Sequence, residues 1–181
     1  MTAQPREIRR YVTNDGKIPF AQWLDSLRDI KAKTKIAQRL NRVSLGNLGD
    51  HQNIGKIIGD EKMPTSDSYH DSLIESLKDS HYAAVYLETH LETEEHEFEP
   101  ELLKLALTHV LEALGSQVLT PEQMTIQVKN LEQLMKKSPP EAINDLAYLL
   151  KSLGLKLTVK VDPQIQENNQ TYPINQVKIT V

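Results

Sequence analysis

Three groups of residues in this chain have the types and spacings that could carry chemistry. The first is a cationic run, Lys31, Lys33, Lys35, Arg39 and Arg42. Clustered cations attract phosphates, so the matching partner would be a nucleic-acid backbone. The plainer reading is the solvated face of a helix whose other side is core. The second group places His90 and His96 among Glu92, Glu94, Glu95, Glu97 and Glu99. Imidazoles beside carboxylates can hold a divalent metal, but neither the helical i, i+4 spacing nor a finger-type spacing is present. A solvated acidic linker over 92–99 is therefore expected, with no metal and no other cofactor. The third group is Gln127, Lys129, Asn130, Gln133, Lys136 and Lys137 on one helical stretch. Such polar and cationic side chains suit base edges and phosphates in a DNA major groove. The competing reading is a helix that simply packs into a bundle.

These residues need elements to position them. Glu7–Thr13 alternates, with Ile8 and Val12 opposite Arg9, Tyr11 and Thr13, a strand pattern closed by Asn14-Asp15-Gly16. Phe20, Trp23, Leu24 and Leu27 form one stripe on a helix opening near Pro19, and Ile36, Leu40 and Val43 mark a second helix after Asp29 that ends at Gly46 and Gly49. Helical pieces follow at Asp71–Leu77 and Tyr82–Leu91. Pro100 opens a denser helix expected to stop at Gly115. Thr120-Pro121-Glu122-Gln123 comes close to a capping box, starting a helix expected to run to Lys137. Glu141–Leu153 makes the last helix, with Gly154 as its C-cap. Leu155–Val161 and Asn175–Val181 then alternate with a period of two. These two runs are expected to pair with each other, and the strand at 7–13 to take them or a second subunit's copy as its partner, because a lone strand leaves its backbone groups unsatisfied. The expected class is α+β, mostly α: a short N-terminal strand plus a helical hairpin, a helical bundle, and a C-terminal two-stranded β element.

Composition restricts the function classes. The apolar fraction is 39%, and among the aromatics only Phe20, Phe98, Trp23 and six tyrosines occur, so a core of Leu, Ile, Val and Ala is required. There are no cysteines, which excludes disulfides and thiolate metal sites and fits a reducing cytoplasm. No apolar run approaches the ~20 residues that span a bilayer, and residues 1–7 lack the apolar stretch of a signal peptide. A soluble cytoplasmic protein with no membrane role is expected. Net charge hides a division: residues 1–62 carry 12 Lys/Arg against 7 Asp/Glu, or +5, whereas 63–181 carry 9 against 18, or −9. The seam coincides with Met63, and opposite charge on the two sides favours their docking.

Arg9 to Gly55, with Pro19-Phe20, Trp23-Leu24, Leu27, the cationic run and Leu45-Gly46-Asn47-Leu48-Gly49-Asp50, resembles the N-terminal half of toxins of the HigB branch of the RelE/ParE superfamily. Members have a strand, two helices and then a curled three-stranded sheet, and many are ribosome-dependent mRNA endonucleases. Where the family continues with a strand of the type Val-x-Glu-Leu-Arg-Ile, this chain has Gly55-Lys56-Ile57-Ile58-Gly59-Asp60, and the later strands are absent. The resemblance therefore transfers no catalytic residue, and a ribonuclease is the least favoured reading. The fragment 1–62 should need outside cover for its strand and helices.

Met63 to about Leu91, Pro100–Gly115 and Leu149–Leu157 resemble the partner antitoxins, helix-turn-helix proteins related to HigA. Between Gly115 and Pro140 the chain lacks the internal glycine and the arginine of that motif. The organisation implied is a truncated toxin-like segment (1–62), an antitoxin-like arm and acidic linker (63–99), a degenerate helix-turn-helix domain (100–154) and a β-hairpin (155–181). By resemblance the arm wraps a toxin, with Tyr69, Leu73, Leu77, Tyr82, Tyr86 and Leu87 as partner-facing residues. The expectation is a non-catalytic, dimeric, antitoxin-like regulator that binds operator DNA. The alternative is a module that binds a RelE/HigB-type toxin without DNA.

Overall fold

The structure is a computed structural model, and it describes residues 6–47, 66–92, 99–134 and 136–159. Its elements are β1 (Arg9–Tyr11), α1 (Pro19–Ser26), α2 (Ile30–Ser44), β2 (Ser66–Ser68), α3 (Tyr69–Leu77), α4 (Ser80–Leu91), α5 (Pro100–Val118), α6 (Pro121–Leu134) and α7 (Pro139–Ser152). The mostly helical α+β class is the observed one. None of the described helices is long and apolar enough to cross a membrane.

Local chemistry explains most boundaries. Asp29 caps α2 by accepting from the amides of Lys31 and Ala32 at 2.8 and 3.2 Å, and Asp79 caps α4 by accepting from Tyr82 N at 2.7 Å. Thr120 and Gln123 cap α6 reciprocally: Gln123 Oε1 accepts from Thr120 N at 2.9 Å, and Thr120 Oγ1 accepts from Gln123 N at 3.3 Å. Gly46 and Gly154 end α2 and α7 with φ of 88° and 77°, left-handed values that a side chain disfavours.

α5 is the central helix. Leu102, Leu103, Ala106, Leu107, Val110, Leu111, Ala113 and Leu114 are all buried, which is burial on nearly every side. It does not stop at Gly115, as expected from sequence, but runs on to Val118. Gly115 instead marks a close approach: a Cβ there would lie 2.6 Å from Met124 Cε of α6. α6 in turn ends at Leu134 rather than at Lys137, whose N–H makes a turn to the Leu134 carbonyl at 3.3 Å. One core joins Ala37 of α2 to Tyr69, Leu73 and Leu77 of α3, to Ala83, Tyr86 and Leu87 of α4, and to α5. Ile8, Phe20, Leu24 and Leu40 pack against it from the first segment.

Two expectations about strands change. β1 pairs antiparallel with β2, in the register Arg9↔Ser68, Arg10↔Asp67 and Tyr11↔Ser66. Its partner is therefore a Ser-Asp-Ser segment directly after the charge seam, not the C-terminal alternating runs. Residues 155–159 form no strand, and 160–181 lie outside the described residues. Residues 66–68, beyond the charge seam, thus supply the hydrogen-bonding neighbour that β1 would otherwise lack.

Candidate interaction interface

The seam between the basic and acidic segments is closed by side chains whose types the sequence shows but whose meeting it does not. α2 turns Thr34, Ala37 and Asn41 inward, at i, i+3 and i+7. This is not the stripe Ile36, Leu40 and Val43 expected from hydropathy, whose residues are only partly buried. The inward line is polar because α4 faces it with Tyr86, Thr89 and His90, also buried, and Ala37 between the polar positions lets the helices approach. Thr34 Oγ1 and Thr89 Oγ1 lie 2.7 Å apart in a buried hydrogen bond, and Gln38 Nε2 donates to the Thr89 carbonyl at 2.9 Å.

Around Tyr86 the hydrogen-bond directions are fixed. His90 Nδ1 donates to the Tyr86 carbonyl at 2.7 Å, so its Nε2 accepts from Asn41 Nδ2 at 3.1 Å. Asn41 Nδ2 also donates to the Tyr86 hydroxyl, which donates onward to His109 Nδ1 at 3.0 Å. Every partner in this chain requires neutral imidazoles. Burial lowers both histidines from 6.5 to about 4, and burial likewise holds the Tyr86 phenol well above its ordinary range, keeping it a donor.

Ion pairs among the described residues cross the seam. Arg10 pairs with Asp67 through Nη2, Lys31 with Glu92 at 2.7 Å and Arg42 with Glu99 at 3.0 Å. In each, the cation comes from the first segment and the anion from the second. Exposed pairs contribute roughly 0–1 kcal/mol, so their role is to select the partner and set the register. Arg10 is the buried exception, and its Nε has no partner among the described residues.

The expected sites fall in different places. Of the cationic run, Lys31 and Arg42 turn to Glu92 and Glu99 and Lys33 Nζ reaches the Asp25 carbonyl at 3.4 Å, while Arg39 is exposed. His90, expected at the edge of a solvated linker, is 5% exposed in the last turn of α4, because Asn41 and Tyr86 satisfy both its nitrogens. His96 lies outside the described residues, and no group of potential metal ligands occurs among those described. Of the residues expected to face a partner, Tyr69, Leu73, Leu77, Tyr86 and Leu87 are buried and Tyr82 is half-buried. They face this chain's own core rather than an open surface, and Tyr69 stacks edge-on with Phe20 of the first segment at 6.3 Å.

The chain matches no family model, no curated protein and no solved structure.

The candidate DNA-facing residues are only partly brought together. Lys129, Asn130 and Gln133 are exposed on the outer side of α6, while Gln127 is half-buried on the inward side with Met124, Leu131 and Leu134. Asn130 Nδ2 donates to Gln127 Oε1 at 3.4 Å. Lys136 and Lys137 lie beyond the helix end, and Lys137 pairs with Asp145 at 2.5 Å, which holds its pKa above the ordinary lysine value. In the buried polar pairs Thr34–Thr89 and Asn41–Tyr86, sequence reasoning missed Thr34, Thr89 and Asn41, whereas Tyr86 was expected to face a partner. The charge seam was the one signal pointing toward them.

Proposed function

We propose that this protein is a non-catalytic interaction module whose acidic part holds a basic strand–helix–helix segment. In the intact chain that segment is its own residues 6–47. The observation that carries the reading is the one-way polarity of the seam: a borrowed strand pairing and the pairs Arg10–Asp67, Lys31–Glu92 and Arg42–Glu99, with the cation always on the same side, around a buried side-chain hydrogen-bond network. Buried networks of this kind specify a particular partner more than they add stability. A full-length RelE/HigB-type toxin resembles the held segment, so such a toxin is the trans partner this reading names.

Binding in trans must displace the tethered segment, whose effective concentration is on the order of millimolar. The test is calorimetric titration of such a toxin into the intact chain and into chain with residues 6–47 released. Release should strengthen toxin binding at least about tenfold; equal, absent binding in both would refute the reading.

A second reading, an antitoxin-like regulator that acts on operator DNA as a dimer, has exposed Lys129, Asn130 and Gln133 in its favour. Against it stand Glu122 and Glu132 on the same helix and the −9 of residues 63–181. Gel retardation of the promoter region at low salt, lost in Lys129→Ala, would support it. No retardation even at high protein concentration would leave the interaction reading alone.

A further inference from the structure

We propose that a cavity in the seam binds a short-chain monocarboxylate, and that its occupancy tightens the docking of residues 6–47; the second half of this rests on the interaction reading above. The cavity measures about 160 Å³ and lies between residues 6–8, α2, α3 and α5. That is close to the ~150 Å³ known to admit one six-membered ring. Ile8, Leu40 and Leu73 give it an apolar wall.

Two donors at the cavity, the His109 ring and the exposed Arg6 guanidinium, have no acceptor among the described residues. His109 lines it and is only 7% exposed. Its Nδ1 accepts from the Tyr86 hydroxyl at 3.0 Å, so the neutral ring carries its proton on Nε2, and no hydrogen bond is made there among the described residues. Arg6 is tied by its backbone, whose N–H donates to the Ser44 carbonyl at 2.7 Å, while its guanidinium has no ion pair among the described residues. The nearby carboxylates are already engaged: Glu7 with Arg9 at 3.1 Å and Glu112 with His70 at 3.3 Å. A ring N–H lining the cavity and an exposed cation beside it, next to an apolar wall, suit an anionic acceptor with a short hydrocarbon body. A carboxylate oxygen accepts from both donors through charge-assisted bonds, and the chain of a four-carbon acid covers the apolar wall. Phosphate would leave that wall wet.

The walls come from both sides of the charge seam, so the ligand's contacts exist only when the segments are docked. Binding then stabilises docking by mass action.

The test uses the intact chain with ¹⁵N-labelled histidine, titrated with butyrate and, separately, with butyramide, n-butylammonium and inorganic phosphate. Butyrate should shift the His109 ring resonances with a dissociation constant on the order of millimolar. Butyramide should bind at least about tenfold more weakly, and Arg6→Gln should weaken butyrate by at least about tenfold. Butyramide or phosphate binding as tightly as butyrate, or an unresponsive His109, would overturn the site. Amide hydrogen exchange across Thr34–Asn41 without butyrate reports docking alone. At about ten times its dissociation constant, butyrate should slow that exchange by about elevenfold where opening is undocking. Protection intact but insensitive to butyrate sinks the cavity site and spares the docking; no protection at all sinks the docking.

Discussion

Lowering the pH from 8 to 5 should remove about 4 kcal/mol of stability through two buried histidines. His90 and His109 are pushed from 6.5 down to about 4 in the folded chain, primarily by burial. A group whose folded pKa is depressed contributes stability that is complete above its unfolded pKa and is lost as the pH falls toward the folded one. The window is therefore pH 6.5 down to about 4. At pH 5 each group costs about 1.36 × log[(1 + 10^1.5)/(1 + 10^−1)], or about 2 kcal/mol, rising to about 3 kcal/mol each well below pH 4. The hydrogen bonds give a second reason. Protonated His90 would turn an Nε2–H toward the Asn41 amide, and protonated His109 would reverse the bond it accepts from Tyr86. Around His90 the other charged groups are Arg42 and its partner Glu99; around His109 they are His70, Glu112, Arg6 and Glu7. Urea unfolding at half-unit pH steps from 8 to 5 measures the effect while most carboxylates stay ionised. Near pH 5 the slope should be about 1.8 protons, about 2.4 kcal/mol per pH unit, and His90→Gln should halve it. A stability constant to within about 0.5 kcal/mol over that range would refute the reasoning that both rings are buried and neutral.

Other consequences follow from the same geometry. Tyr86→Phe leaves His109 Nδ1 and one Asn41 N–H without partners in the core, so a loss of about 2–3 kcal/mol is expected from denaturation, more than a typical single hydrogen bond. Thr34→Val or Thr89→Val alone should cost about 1–2 kcal/mol. The double variant should cost less than the sum, because both ends of the 2.7 Å contact become apolar together; strict additivity in that cycle would show that the contact is not made. Gly115→Ala trades a helix-propensity gain of about 1 kcal/mol against moving Met124 Cε, the free end of a flexible side chain. A change within about 1 kcal/mol is expected in the thermal midpoint. Gly115→Val should cost at least about 2 kcal/mol, since Met124 Sδ and Leu111 Cδ1 also stand 3.3 and 3.4 Å from the new Cβ.

Sequence made those helix boundaries legible that neighbours in the chain set, since Pro19, Asp29, the Thr120–Gln123 box and the Gly154 terminator act within one turn, whereas α3, α4 and α7 begin two residues earlier than expected, at Tyr69, Ser80 and Pro139. It showed poorly whatever depends on distant partners. Ser66–Ser68 has no apolar alternation to mark it as a strand, and only its pairing with Arg9–Tyr11 makes it one. Thr34 and Asn41 look like surface residues until α4 brings Thr89, Tyr86 and His90 to them across 45–55 positions. Gly115 reads as a stop locally, yet its lack of a side chain serves contact with α6. The charge seam was the feature that carried through, because the sum of many residues predicts attraction without specifying which pairs meet.

The docking of the two segments is tested most directly by a variant with a site-specific protease sequence between residues 50 and 60. After cleavage of the folded protein, the account predicts that the halves stay together at low salt. Their affinity should fall with a log–log salt slope that flattens in a variant carrying Glu92→Lys and Glu99→Lys. Halves that separate freely at low salt, with the acidic part unfolding no earlier than in the uncut chain, would contradict it.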